Sequence, residues 1–149
     1  MISIEQIKKL RNKTGVSITE CKKALEEAEG DIGKAKEILR KRGQDFAQKR
    51  LNRETKEGII NSYIHSGMKV GVLIELQCES DFVARSKDFH ELAHELCLQI
   101  AASPSDGENP LLEQEWIKDQ TKTVNELIDE YIAKFGENII LKRFTRYEL

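Results

Sequence analysis

Residues 70–84 read VGVLIELQCESDFVA, a strand pattern that runs straight into an acid and a large aromatic. Val70, Val72, Ile74, Leu76 and Cys78 alternate with Gly71, Leu73, Glu75 and Gln77, a period of two that lays one apolar row on a core. Ser80-Asp81-Phe82-Val83 then falls at the strand's end, where the backbone can hold side chains out from the body. Two readings of Phe82 follow. It is a core residue at a strand-to-helix corner, or an exposed anchor for a partner's pocket, since aromatic anchors carry much of the energy of interfaces.

The flanking sequence sets the architecture. Gly58 to His65 alternates as a strand, and Ser66-Gly67 turns it into the Val70 strand as a β-hairpin. Ser86 to Ala102 is an amphipathic helix with Phe89, Leu92, Ala93, Leu96 and Ile100 on one stripe and Pro104 beyond it. Ser103 to Pro110 reads as a polar loop, and Leu111 to Gln120 as a short strand or turn around Trp116, which is expected to pack on the core. Thr123-Val124-Asn125-Glu126 is a capping box that opens a helix through Phe135, stopped by Gly136, and Ile139 to Tyr147 is a last strand. Residues 57–149 therefore predict an α+β core, a small antiparallel sheet of about three strands packed by helices.

Upstream, Ser3-Ile4-Glu5-Gln6 and Ser17-Ile18-Thr19-Glu20 are capping boxes, and Asp31 caps a third helix. Ile4, Ile7 and Leu10 share one face, Cys21, Ala24, Leu25 and Ala28 another, and Ile32, Ala35, Ile38 and Leu39 a third. Gly15, Gly30 and Gly43 are read as the stops. Residues 1–43 thus form a three-helix bundle of the ubiquitin-associated type. Residues 44–56 (QDFAQKRLNRETK) form a basic connector poor in apolar periodicity, with few residues to join the two cores.

Composition narrows the function. Charged residues make up 34% of the 149, and the longest apolar run falls far short of the roughly 20 residues a membrane span needs. No secretory signal is expected from the N-terminal residues. Cys21, Cys78 and Cys97 are odd in number and lie on apolar faces, as buried thiols of a reducing compartment. Residues 1–56 carry 15 Lys/Arg against 9 Asp/Glu, and residues 57–149 carry 9 against 17. That asymmetry raises a small ribosome- or RNA-associated binding module as the alternative function. The basic residues are interleaved with acids, however, and no aromatic stacking set accompanies them, which favours solvated helix faces.

Enzyme signatures are sparse. His90-Glu91-Leu92-Ala93-His94 spells the H-E-x-x-H of zinc proteases, with Glu113 or Glu115 as conceivable third ligands. Both His residues project off the apolar stripe onto the solvent flank, and a chain of this size leaves little protein to build a cleft over a metal. His65, beside a turn, reads as a surface residue. There is no glycine-rich phosphate loop, no G-x-S-x-G and no cysteine pair at metal spacing.

Leu10 to Leu25, LRNKTGVSITECKKAL, closely resembles the N-terminal signature of elongation factor Ts of bacteria and organelles. Glu79 to Arg85, ESDFVAR, resembles that family's second signature, and Gly136 to Phe144, GENIILKRF, its C-terminal strand. Against longer family members the chain looks abbreviated between Pro104 and Thr123, with one core module in place of two. The resemblance implies a guanine nucleotide exchange factor for elongation factor Tu, not an enzyme in the bond-making sense, with no cofactor, no metal of its own, no direct nucleic acid and no membrane. It implies that Ser80, Asp81, Phe82 and Val83 disturb the GTPase's Mg²⁺ and phosphate site. Phe82 would be wedged between two helices and Asp81 would secure it. It assigns Arg11, Ile18, Thr19 and Lys22 to a second contact. Thr19 is polar where the family can be apolar, and Ser80 stands where threonine is common. Short members imply a homodimer, and the family implies the cytoplasm, or an organelle's stroma or matrix.

Overall fold

The computed structural model describes residues 1–105 and 110–149. Some of the polar loop expected over 103–110 therefore lies outside the described residues.

Three helices open the chain: α1 (Ile4–Thr14), α2 (Ile18–Glu27) and α3 (Ile32–Gln48). Ser3 and Gln6 close a full capping box on α1, each side chain bonded to the other's backbone N–H. Ser17 caps α2 only from its own side. Glu20 turns outward instead, to Arg42 and Lys23. Leu10, Cys21, Ala24, Leu25, Ala28, Ala35 and Leu39 form a first core. Ile4, expected to share the Leu10 face, is 72% exposed, while Ile2 and Ile7 on either side of it pack against this core.

Gly43 does not stop α3. The helix continues for another turn, and a Cβ added at Gly43 would lie 3.6 Å from the Cβ of Ala133 on α6 (Val124–Phe135). The missing side chain admits a neighbouring helix rather than breaking this one. Ala47 is then buried in a second core and Phe46 packs against it, so the expected connector joins the two cores after all. Arg40 reinforces the junction through Glu126 at 3.1 Å, and Arg50 donates to the Gly136 carbonyl at 3.1 Å.

The second core lies under a three-stranded antiparallel sheet of β1 (Glu57–Ile64), β2 (Val70–Cys78) and β5 (Ile139–Glu148), with β2 in the middle. Val72, Ile74, Leu76 and Cys78 face inward as the alternation predicts. They meet α5 (Lys87–Ala102), whose Phe89, Leu92, Leu96 and Ile100 are wholly buried. Burying each of these side chains is worth about 1.5–3 kcal/mol. A one-turn helix, α4 (Asp81–Ala84), joins β2 to α5. The ambiguous stretch before α6 resolves into a 3₁₀ turn (Leu111–Glu113) and a small hairpin of β3 (Glu115–Trp116) and β4 (Asp119–Thr123). Trp116 packs on the core. Thr123 caps α6, while the Glu126 side chain goes to Arg40 rather than back to the cap. The architecture is α+β. No helix of the described residues is long and apolar enough to cross a membrane.

Candidate functional site

The end of β2 builds a projecting tip. Ser80 is extended at φ −117° and ψ 151°, and its Oγ accepts the Val83 N–H at 3.2 Å, which starts α4. Ala84 N–H donates to Ser80 O and Arg85 N–H to Asp81 O, closing the turn. Cys78 Sγ donates to Ser80 O at 3.2 Å from below. Burial, then the nearby Glu137 charge, push the Cys78 thiol up to about 11, so it stays protonated and able to donate.

The turn sorts its side chains. Val83 and Ala84 enter the core, at 4% and 3% exposure, while Phe82 points out at 86%. Of the two sequence readings of Phe82, the buried corner residue is excluded. Val83, grouped in sequence with the contact residues, faces this chain's own core and pins the turn. Asp81 is exposed and pairs with Arg85 at 2.8 Å. Such a surface pair is worth little, so Asp81 can exchange that partner for another at small cost.

The tip is held from behind by a carboxylate that the sequence reading absorbed into a strand motif. Glu137 Oε1 accepts the N–H of Glu79 at 3.2 Å and of Ser80 at 2.9 Å, and Oε2 accepts the Ser80 hydroxyl at 2.6 Å. Glu79 answers in kind: its Oε2 accepts the Asn138 N–H at 2.5 Å. Asn138, 1% exposed, donates its side-chain amide to the carbonyls of Arg53 at 3.0 Å and Leu51 at 3.5 Å. Three segments remote in sequence therefore meet under Phe82. The available signal was two polar residues, Glu137 and Asn138, standing between the Gly136 helix stop and the apolar start of β5.

The second group lies on the N-terminal bundle. Ile18 is 56% exposed, and Thr19 and Lys22 are exposed beside it on α2. Lys22 lies one turn on from Ile18 and pairs loosely with Glu26 at 3.8 Å. Arg11, exposed in the last turn of α1, reaches this neighbourhood. Burial pushes the Cys21 thiol on α2 up, and Thr14 and the Arg11 charge pull it back. Some other basic residues nearby are paired with acids: Arg40 with Glu37 and Glu126, Arg42 with Glu20 and Glu27, Lys23 with Glu20.

The H-E-x-x-H residues are otherwise engaged. His90 Nε2 lies 3.0 Å from the Ala84 carbonyl, which can only accept, so that nitrogen carries the hydrogen and closes the end of α4. His94 meets Tyr63 edge to face. Among the described residues no group of three or more His, Cys, Asp or Glu is placed to hold a metal ion.

The outer face of the sheet is a third feature, one the sequence reading missed. Across it Ile60, Ile64, Leu73 and Tyr147 are 60%, 60%, 47% and 76% exposed. Gly71 lies between Ile64 and Tyr147 in register, and a Cβ there would come within 3.1 Å of Ile64 Cδ1. Leu73, apolar in the polar row of β2, was the visible sign.

A family model described as "Elongation factor TS" matches residues 79–149, and one described as "Elongation factor Ts, mitochondrial, N-terminal" matches residues 2–47. The chain is 40% identical to elongation factor Ts of Moorella thermoacetica, over 100% of this chain and 96% of that one. It is 44% identical to that of Thermotoga maritima, over 99% and 96%. The Moorella alignment runs over 194 positions against 149 residues here, so at least 45 of them face no residue of this chain.

Proposed function

The chain belongs to the elongation factor Ts family, and we propose on that footing that it promotes release of GDP from elongation factor Tu. The observation that carries the reading is Phe82, a phenylalanine left 86% in water on a turn braced from behind. An exposed aromatic on a preorganised support loses little entropy when it enters a pocket.

The mechanism is one of linkage. A protein that binds the nucleotide-free GTPase more tightly than the GDP-bound form must weaken GDP by the same free energy. The sensitive point is the Mg²⁺, which demands near-ideal octahedral geometry and bridges protein to phosphate. Phe82 would wedge apart a pair of helices of the GTPase, with Asp81 leaving Arg85 to bond the partner. Small displacements of those helices are enough to lose the ion. Ser80 and Val83 support the pair, one by capping and one by packing. Arg11, Ile18, Thr19 and Lys22 would grip a further helix of the same domain. The three-helix module and the core from residue 57 would be the units of contact, bridged by α3, whose last turn after Gly43 enters the second core. No side chain makes or breaks a covalent bond, and the buried thiols suit a reducing compartment such as the cytoplasm.

The outer sheet face supports self-association. Exposed apolar residues grouped on one face mark an interface, and a second copy would cover them with the same residues. Sedimentation should give the mass of a dimer, and Leu73→Lys should shift it to the monomer. A monomeric parent protein would sink the self-association. The central test is release of labelled GDP from purified elongation factor Tu with and without this protein. Stimulation at catalytic amounts is expected, and an unchanged rate would remove the exchange reading.

A further inference from the structure

We propose that Glu137 is a positioning residue, whose carboxylate sets the direction in which Asp81 and Phe82 project and so controls how well they engage a partner. The inference rests on the exchange reading for its functional half and on geometry alone for its structural half.

A helix of four residues cannot hold its own direction, because its few backbone bonds do not offset the ordering of its nucleus. Val83 and Ala84 pin its inner side to the core, but a turn pinned on one side can still rock about that line. The opposite constraint comes from one carboxylate. Glu137 takes two backbone N–H groups on Oε1 and the Ser80 hydroxyl on Oε2, all from the two residues that precede α4. Ser80 Oγ donates its only hydrogen to Glu137, since a carboxylate can only accept, and it accepts in turn from Val83 N–H. The chain Val83 N–H to Ser80 Oγ to Glu137 therefore has one polarity, and it transmits the carboxylate's position directly into the first turn.

The charge matters as well as the shape. Bonds to an ionised acceptor are roughly twice as strong as neutral ones. A glutamine offers one acceptor oxygen where the carboxylate offers two, and its NH₂ would face the hydroxyl that now donates. The reciprocal bond from Asn138 N–H to Glu79 fixes the other side of the same junction. Asn138 also holds the carbonyls of Leu51 and Arg53, at the end of the chain that leads from α3. The tip is thereby registered against the segment that carries the N-terminal contact surface.

The test uses the full chain with Glu137→Ala and Glu137→Gln, each alone and combined with Phe82→Ala. Amide hydrogen exchange should be about tenfold or more faster at Glu79, Ser80 and Val83 in Glu137→Ala, with the β2 and α5 amides unchanged. The concentration of Glu137→Ala giving half-maximal GDP release from elongation factor Tu should rise about tenfold. The same substitution should add less than about twofold when Phe82 is already alanine, because coupled residues are non-additive. Glu137→Gln should fall between. Unchanged exchange at the tip overturns the inference. So does loosening spread through β2 and α5, or an equal Glu137→Ala penalty in both Phe82 backgrounds. If the unaltered protein fails to release GDP, the exchange reading falls, and the tip amides alone still decide whether Glu137 positions it.

Discussion

Phe82→Ala separates anchoring from packing on a single sample. The side chain is 86% exposed, so its removal leaves no cavity, and alanine is the better helix former at this position in α4. Stability should change by less than about 0.5 kcal/mol, which for a chain of this size moves the melting temperature by no more than about 2 °C. A buried phenylalanine would instead cost about 3–5 kcal/mol on truncation. At roughly 2–4 °C per kcal/mol that is a fall of about ten degrees. On the partner's side, burying the ring is worth about 2–3 kcal/mol. At 1.4 kcal/mol per decade, that is a loss of about thirty- to a hundredfold in stimulated GDP release at low concentration. The assay is stopped-flow release of a fluorescent GDP analogue from elongation factor Tu, with calorimetry on the same preparation. A protein as stable as the parent that still stimulates at the parent's rate would refute the anchor. A collapse of stability would refute the geometry.

Other expectations are simpler to score. Gly58 has φ +157°, and a Cβ there would lie 2.2 Å from the Leu76 carbonyl oxygen, so Gly58→Ala should cost about 2 kcal/mol or more and lower the melting temperature by several degrees; unchanged melting would show that β1 can move away from β2 freely. Burial, and then Glu126, raise the Asp129 carboxyl from 3.8 to about 6, so the folded state holds its proton more tightly than the unfolded one. Its contribution is favourable below about 4 and is lost as pH rises through about 6. Asp129→Asn should therefore raise stability at pH 7 by about 1 kcal/mol, discounted for partial exposure, and flatten the dependence between pH 4 and 6. Equal stability at pH 7 with an unaltered slope would count against it. Cys21, Cys78 and Cys97 are wholly buried, and burial holds the latter two thiols near 11, so a water-soluble maleimide at pH 8 should label none in the native protein and three after unfolding. Rapid native labelling would contradict the burial.

The inner half of the sheet was readable because β2 repeats at the period its geometry demands, and α5 could be placed because its stripe is continuous from Phe89 to Ile100. What failed were inferences that depend on who the neighbour is. Gly43 reads locally as a helix stop, and only the presence of Ala133 opposite makes it a point of close approach. Ile4 keeps the spacing of a core residue, but Ile2 and Ile7 are the ones that pack there and Ile4 is left outside. The second and third capping boxes keep their serine or threonine half, while Glu20 and Glu126 find stronger cationic partners far along the chain. At the tip, Asp81 and Phe82 were visible as an unusual pair. Glu137 was not, because a carboxylate that accepts from residues 57 and 58 positions away leaves no local periodicity.

The unbroken run of α3 through both cores has a mechanical consequence. Its 17 residues span about 25 Å at 1.5 Å per residue, and they make the two proposed contact surfaces the jaws of a caliper rather than beads on a string. On the proposed function, once one jaw closed on elongation factor Tu the other would already be at its working distance and would not search a volume set by a slack tether. The second grip would then add affinity almost without further loss of freedom. The same stiffness would make the molecule a gauge: a partner whose two contact sites stood a few ångströms nearer or farther would be held by one jaw at a time.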